Sequence, residues 1–268
     1  MNLFLSAVTF MGYLGASVLY VGALYEGRRE RWGRYGVVAG WAAQTIFLTK
    51  DAITTHGLPA ATLYDWMSFF VWVMISLLLV IQIRRSYTHI GSFLVPIVFL
   101  LWLMSQFLAH HSQGTAVSVA GAWLGLHIVL ATASYATFLL AAVFGIMYTE
   151  KERELKNKKV RLFYYQLPPL EEMDEVGSHL VMLGVPLLAV ALFIGGYAAT
   201  SVWGDHWTWT AKEIWSLIIW LVYAGYLALR WVAGWRGHRA AVYVMVAFLL
   251  VIINFWGINS LFPGAGYF

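Results

Sequence analysis

The chain has 268 residues, 61% of them apolar and 11% charged, with a net charge of +4 and no cysteine. Soluble domains are about 45–50% apolar and about 25% charged, so this composition excludes a water-soluble globule, and with it intrinsic disorder. The absence of cysteine excludes a disulfide scaffold, a thiolate metal site, an iron–sulfur centre and a cysteine nucleophile.

A membrane-spanning helix needs roughly 20 apolar residues, and eight such stretches follow one another along the chain. They run approximately Leu3–Leu24, Tyr35–Thr54, Leu63–Ile83, Ile90–Leu108, Ala122–Tyr148, Val176–Ala199, Ile214–Gly234 and Ala240–Phe262. The runs are too long, and alternate too little, for the strands of a barrel. The expected fold is therefore an all-α integral membrane bundle of about eight transmembrane helices, forming one domain over 1–268. The first stretch lacks a basic leader and is too long for a cleaved signal, so it reads as a span. Between the fifth and sixth stretches, Glu150–Lys159 reads as a charged helical continuation of span five. Pro168 and Pro169 then break the helix. No internal repeat is visible.

The basic residues orient the bundle. Fifteen of the seventeen Lys and Arg fall after spans one, three, five and seven. The positive-inside rule puts those loops in the cytoplasm and both termini outside. The positive balance thus reads as topology in a lipid membrane, not as a nucleic-acid footprint.

On the outer side lie Lys50, Asp51 and His56 after span two, and His110 and His111 after span four. Asp65 sits near the outer start of span three, where a hydrogen-bonding role at the interface is its ordinary one. His127 lies about a turn inside span five. A lone intramembrane His is usually a packed or hydrogen-bonded residue, but ionisable groups at this depth are expensive and often functional. The loop after span six reads Val202-Trp203-Gly204-Asp205-His206-Trp207-Thr208-Trp209-Thr210-Ala211-Lys212-Glu213-Ile214-Trp215. Four tryptophans, Trp203, Trp207, Trp209 and Trp215, fall within this short segment. They read either as an aromatic interface belt or as a flat, hydrogen-bonding platform for a large planar ligand such as a porphyrin or quinone. Lys212 and Glu213 read either as an interfacial charge pair or as groups that orient the loop or touch ligand carboxylates. No serine-centred elbow or oxyanion-type glycine run points to nucleophilic catalysis. Charge within the spans is too sparse for an ion-coupled transporter.

The segment from Trp203-Gly204 through Trp207, Trp209, Lys212-Glu213 and Trp215-Ser216-Leu217-Ile218 resembles the tryptophan-rich "WWD" signature of the CcsA/ResC cytochrome c biogenesis proteins. That family belongs to a haem-handling superfamily with CcmC and CcmF and is related to HemX. The likeness continues through Trp220-Leu221, Tyr223-Ala224, Gly234-Trp235-Arg236-Gly237 and Gly257-Ile258-Asn259. Upstream it includes Pro59, Leu63-Tyr64-Asp65, His127-Ile128, Ser134-Tyr135-Ala136 and Leu167-Pro168-Pro169-Leu170-Glu171, so it covers about 59–259.

The resemblance implies a protein that presents haem b, held non-covalently, at the outer face of a bacterial cytoplasmic membrane or its organelle equivalent. It implies His127 as an iron ligand, and Trp203, Trp207, Trp209 and Trp215 as the platform. It further implies apocytochrome c and a CcsB/ResB-like protein as partners, with which the chain would form a holocytochrome c synthase, or haem lyase. Two positions depart from the pattern. Thr210-Ala211 replaces the signature Asp, and the tail lacks the family's second outer histidine. His206, inside the signature loop, and His110 and His111 are alternatives for that ligand. A HemX-like regulatory or structural protein without the usual haem ligation is the alternative function.

Overall fold

Far from water a chain segment must satisfy its own backbone hydrogen bonds, and a helix does this within one run. In the computed structural model the described residues are 3–24, 30–55, 63–84, 90–109, 122–158, 167–203, 209 and 211–254. Among them are eight helices: α1 (Leu3–Ala23), α2 (Glu30–Thr55), α3 (Leu63–Arg84), α4 (Ile90–Ala109), α5 (Ala122–Lys156), α6 (Leu170–Trp203), α7 (Ala211–Val232) and α8 (His238–Ile252). No strand occurs among the described residues.

Six of these helices (α1, α3, α4, α5, α6 and α7) are long and apolar enough to cross a bilayer. The chain is thus a polytopic helical membrane protein. α2 carries Glu30, Arg31, Arg34, Lys50 and Asp51 toward its ends, which lowers its mean hydropathy. α8 is 15 residues long as described, and the rest of the eighth apolar stretch lies outside the described residues. α6 begins already at Leu170 rather than at Val176, directly after Pro168-Pro169, and its first turn carries Glu171 and Glu172, which complement the helix dipole. α5 has 35 residues, or about 52 Å at 1.5 Å per residue. That exceeds the ~30 Å hydrocarbon core, and the surplus is the charged continuation expected after Tyr148.

The contacts divide the chain into two compact units, Met1–Ala120 and Gly121–Phe268. In the first, α1 packs on α2 and α4, and α3 packs on the same two helices, closing a ring of four. The α1–α2 approach is intimate because Gly12 faces Gly36 and Gly40. A Cβ on Gly12 would come within 2.9 Å of the Gly36 oxygen and the Gly40 Cα, so only small residues allow the backbones this close. Buried polar groups then pair between helices. The Tyr13 hydroxyl donates to Gln44 Oε1 at 2.6 Å, and Gln44 Nε2 donates to the Ser68 carbonyl at 2.8 Å. Trp41 Nε1 donates to Ser76 Oγ at 2.9 Å, and Trp72 Nε1 to Thr45 Oγ1 at 2.7 Å.

In the second unit α5 packs on α6 and α8, and α7 packs on the same two helices, again closing a ring. α5 and α7 face each other across its diagonal. Phe138 of α5 and Tyr223 of α7 meet there as parallel stacked rings, 3.7 Å between centroids and 3° apart in plane. Val181, Val185 and Leu188 of α6 and Val244, Ala247 and Val251 of α8 close around them.

The two ends of this unit differ chemically. At one end Asp174 takes a two-point contact from Arg230 at 3.1 and 2.9 Å and a third bond from the Gly237 N–H at 2.9 Å. Beside it Glu152 bridges His238 and Lys156. Lys151 Nζ donates to the carbonyls of Leu167 and Pro168. The other end holds His127.

Candidate functional site

His127 stands between one and two turns into α5, near the beginning of that helix. Its Nδ1 lies 2.6 Å from the carbonyl oxygen of Ala191 on α6. A carbonyl can only accept, so Nδ1 carries the proton and Nε2 keeps its lone pair. This is how proteins prepare an imidazole for a metal: the second nitrogen is held by a backbone carbonyl or a carboxylate, which fixes tautomer and ring orientation.

The ring also lies against the α6 backbone at Gly195, where a Cβ would sit 2.7 Å from both Cε1 and Nδ1. Ala191 and Gly195 are one turn apart, so they present a single face to the imidazole. Next to this face Trp123, one turn before His127, meets Tyr197 of α6 edge-on at 5.6 Å. Both rings are more than half exposed.

Lys212, in the first turn of α7, stands at the same end of this unit as His127. Trp215 and Ser216 follow one turn later on the same helix and are partly buried. Ser216 and Asn254 both hydrogen-bond the hydroxyl of Tyr135. Tyr135 is two turns beyond His127 on α5.

Of the tryptophans expected to form a platform, Trp209 is 66% exposed and holds a left-handed backbone with φ of 53°. That conformation is uncommon for a bulky residue, and here it immediately precedes α7. Trp215 stands on α7, and Trp203 is the last residue of α6. Trp207 and His206 lie outside the described residues, as do His110 and His111. The structure thus joins His127 to Ala191 and Gly195 of α6 and sets Trp123 and Tyr197 beside them, four residues that the sequence reading did not pick out. Ile194-Gly195-Gly196 in an apolar run is a signal of close approach, but it does not say what approaches.

Whether haem suits these residues can be judged from the donor set. Among the described residues no three His, Cys, Asp or Glu side chains converge as a metal cage. A single imidazole with a free Nε2 suits a metal whose other positions are already filled by a macrocycle. Haem iron is such a metal and accepts His as an axial ligand. The exposed aromatic faces nearby suit its flat, apolar ring. The residues present therefore fit haem.

These features place the molecule among helical membrane proteins with an ordered histidine at one end of a four-helix unit, next to a tryptophan-rich segment. The family described as "Cytochrome C assembly protein" matches residues 60–265, and the chain belongs to it. Among similar proteins is the cytochrome c biogenesis protein CcsA of Guillardia theta, 28% identical over 239 residues, covering 82% of this chain and 79% of the relative. CcsA of Mesostigma viride is 25% identical over 259 residues, covering 88% and 85%. CcsA of Zea mays is 26% identical over 263 residues, covering 84% and 82%.

Proposed function

We propose that this chain serves cytochrome c biogenesis by holding haem b non-covalently at the outer end of its second unit and presenting it to apocytochrome c. The observation that carries this reading is the hydrogen bond from His127 Nδ1 to the Ala191 carbonyl, which leaves Nε2 as a prepared axial ligand. In this reading His127 holds the iron, and Trp203, Trp207, Trp209 and Trp215 cover the porphyrin face. Lys212, close to His127, offers a cation to the propionates. His206, within the tryptophan-rich loop, is the candidate that would supply a second imidazole to the iron. The tryptophan-rich loop and both chain termini face outward, across a bacterial cytoplasmic membrane or its organelle equivalent. A CcsB/ResB-like protein completes the machine.

Bound haem supplies two vinyl groups, across which the S–H bonds of apocytochrome thiols add. The chain itself contains no cysteine, so any thioether must form on another polypeptide. Its own residues orient and hold the ring, and the bond from His127 Nδ1 to the Ala191 carbonyl keeps the imidazole's orientation fixed.

The test is the absorption spectrum of protein purified with haem supplied. A Soret band is expected in the wild type, with loss of most bound haem in His127→Ala. Added imidazole should restore the band in His127→Gly. An undiminished band in both variants overturns the reading. A deletion strain separates this role from a HemX-like regulatory one: loss of all c-type cytochromes is expected here, and normal cytochrome c maturation favours the regulator.

A further inference from the structure

Gly195 lies inside α6, toward the end of its apolar span, where glycine is a poor choice on propensity alone. Its surroundings explain it. Ala191 is fully buried, and its carbonyl takes the Nδ1 proton of His127. One turn later Gly195 offers bare backbone to the same ring, on the edge that carries Cε1 and Nδ1. A methyl group there would stand 2.7 Å from both atoms, well inside van der Waals contact. The atoms it would strike belong to a short, stiff aromatic side chain with only two torsions, held by its bond to the Ala191 carbonyl. An alanine would push the imidazole off α6 and break the bond to Ala191.

We propose that Gly195 is the positioning residue for His127. It gives the ring its seat on α6, and so decides that Nδ1 is spent on the protein and Nε2 is offered to the ligand. The haem half of this inference rests on the function proposed above; the packing half does not.

The coupling is testable without haem. Alanine is the better helix former, so propensity alone predicts that Gly195→Ala raises stability. The seat predicts the reverse, with relief when the ring is removed. Thermal unfolding in detergent should give a midpoint several degrees below wild type for Gly195→Ala. Gly195→Ala combined with His127→Ala should unfold no earlier than His127→Ala alone. Such non-additivity is the mark of two groups in contact. Gly177→Ala serves as the control on the same helix, since a Cβ there meets only ordinary contacts at 3.7 and 3.9 Å, and propensity should leave its midpoint at or above wild type. If Gly195→Ala alone does not accumulate, recovery of folded protein in the double variant carries the same information, and failure to recover overturns the seat.

The haem arm uses absorption and electron paramagnetic resonance of the ferric protein. Gly195→Ala should lower bound haem severalfold or change the axial-ligand signature, with imidazole restoring the wild-type signature. An unchanged spectrum in Gly195→Ala together with haem loss in His127→Gly overturns the positioning role and leaves the haem reading standing. Unchanged spectra in both variants sink the haem reading, while the stability cycle still decides whether Gly195 seats the ring.

Discussion

An imidazole has two nitrogens, and the bond made by one decides what the other can do. At His127 that decision is made by a backbone carbonyl 64 residues away. A carbonyl cannot be changed by a side-chain substitution, which makes the arrangement robust against mutation at Ala191 and sensitive at Gly195. Tyr223 is a residue-scale contrast. Its ring is fully buried and stacked on Phe138, yet its hydroxyl has no hydrogen-bond partner among the described residues. Ring and hydroxyl therefore contribute with opposite signs. Tyr223→Phe should be neutral or stabilising by up to about 1 kcal/mol, since it removes an unpaired buried polar group. Tyr223→Ala should cost about 3–5 kcal/mol, the usual range for emptying an aromatic site in a packed core. Equilibrium unfolding in mixed micelles measures both, and equal losses would mean that the hydroxyl is paired. His127 was legible in the sequence because an ionisable residue inside an apolar run stands out. Its seat was not, because nothing in a linear pattern pairs residue 127 with 191 and 195.

At the scale of elements, the junction of α6, α7 and α8 depends on one carboxylate. Asp174, in the second turn of α6, receives both terminal nitrogens of Arg230 from the last turn of α7 and the backbone N–H of Gly237 just before α8. The side chains of Asp174 and Arg230 are only 11% and 12% exposed, so the pair is nearly desolvated. Gly237 itself has φ of 66°, a left-handed turn that lets its N–H point at Asp174. Removing one member strands the other. Asp174→Ala should therefore cost about 3–5 kcal/mol, and Arg230→Lys should rescue little, since an ammonium cannot reproduce the planar two-point contact. Limited proteolysis at Arg236 and Arg239 reads the same event: the variant should be cut faster there, and an unchanged cleavage rate would show that the apolar packing holds the turn alone.

The helices themselves were readable from apolar length, as was the charged continuation of α5, although that helix ends at Lys156 in a turn with Lys158 at φ of 52°, short of the expected Lys159 and well before Pro168-Pro169. The partners at this junction were not. Arg230 entered the sequence reading only as a topology charge, because periodicity identifies a helix face and says little about which neighbour covers it. The early start of α6 has the same origin. Glu171, Glu172 and Asp174 lower the apolar signal, while their acidity at a helix N-terminus favours the helix.

For the whole molecule, the unequal distribution of charge is a statement about orientation. The ends of the second unit differ: Asp174, Arg230, Glu152, His238 and Lys156 gather at one, and His127, Lys212 and Trp209 at the other. Fifteen of seventeen basic residues follow the odd-numbered apolar stretches, so the positive-inside rule predicts that the charged end is the one retained in the cytoplasm. On the proposed function the His127 end is expected to face outward, where a cytochrome precursor would meet it. The lack of native cysteine makes this directly measurable, because a single introduced thiol has no competitor. Ser112→Cys and Thr208→Cys should react with a membrane-impermeant maleimide in intact cells or right-side-out vesicles. Ser86→Cys and Asn157→Cys should react only after permeabilisation. The reverse pattern would put His127 on the side of haem synthesis instead of haem attachment, and the presentation role would have to give way to one of haem uptake.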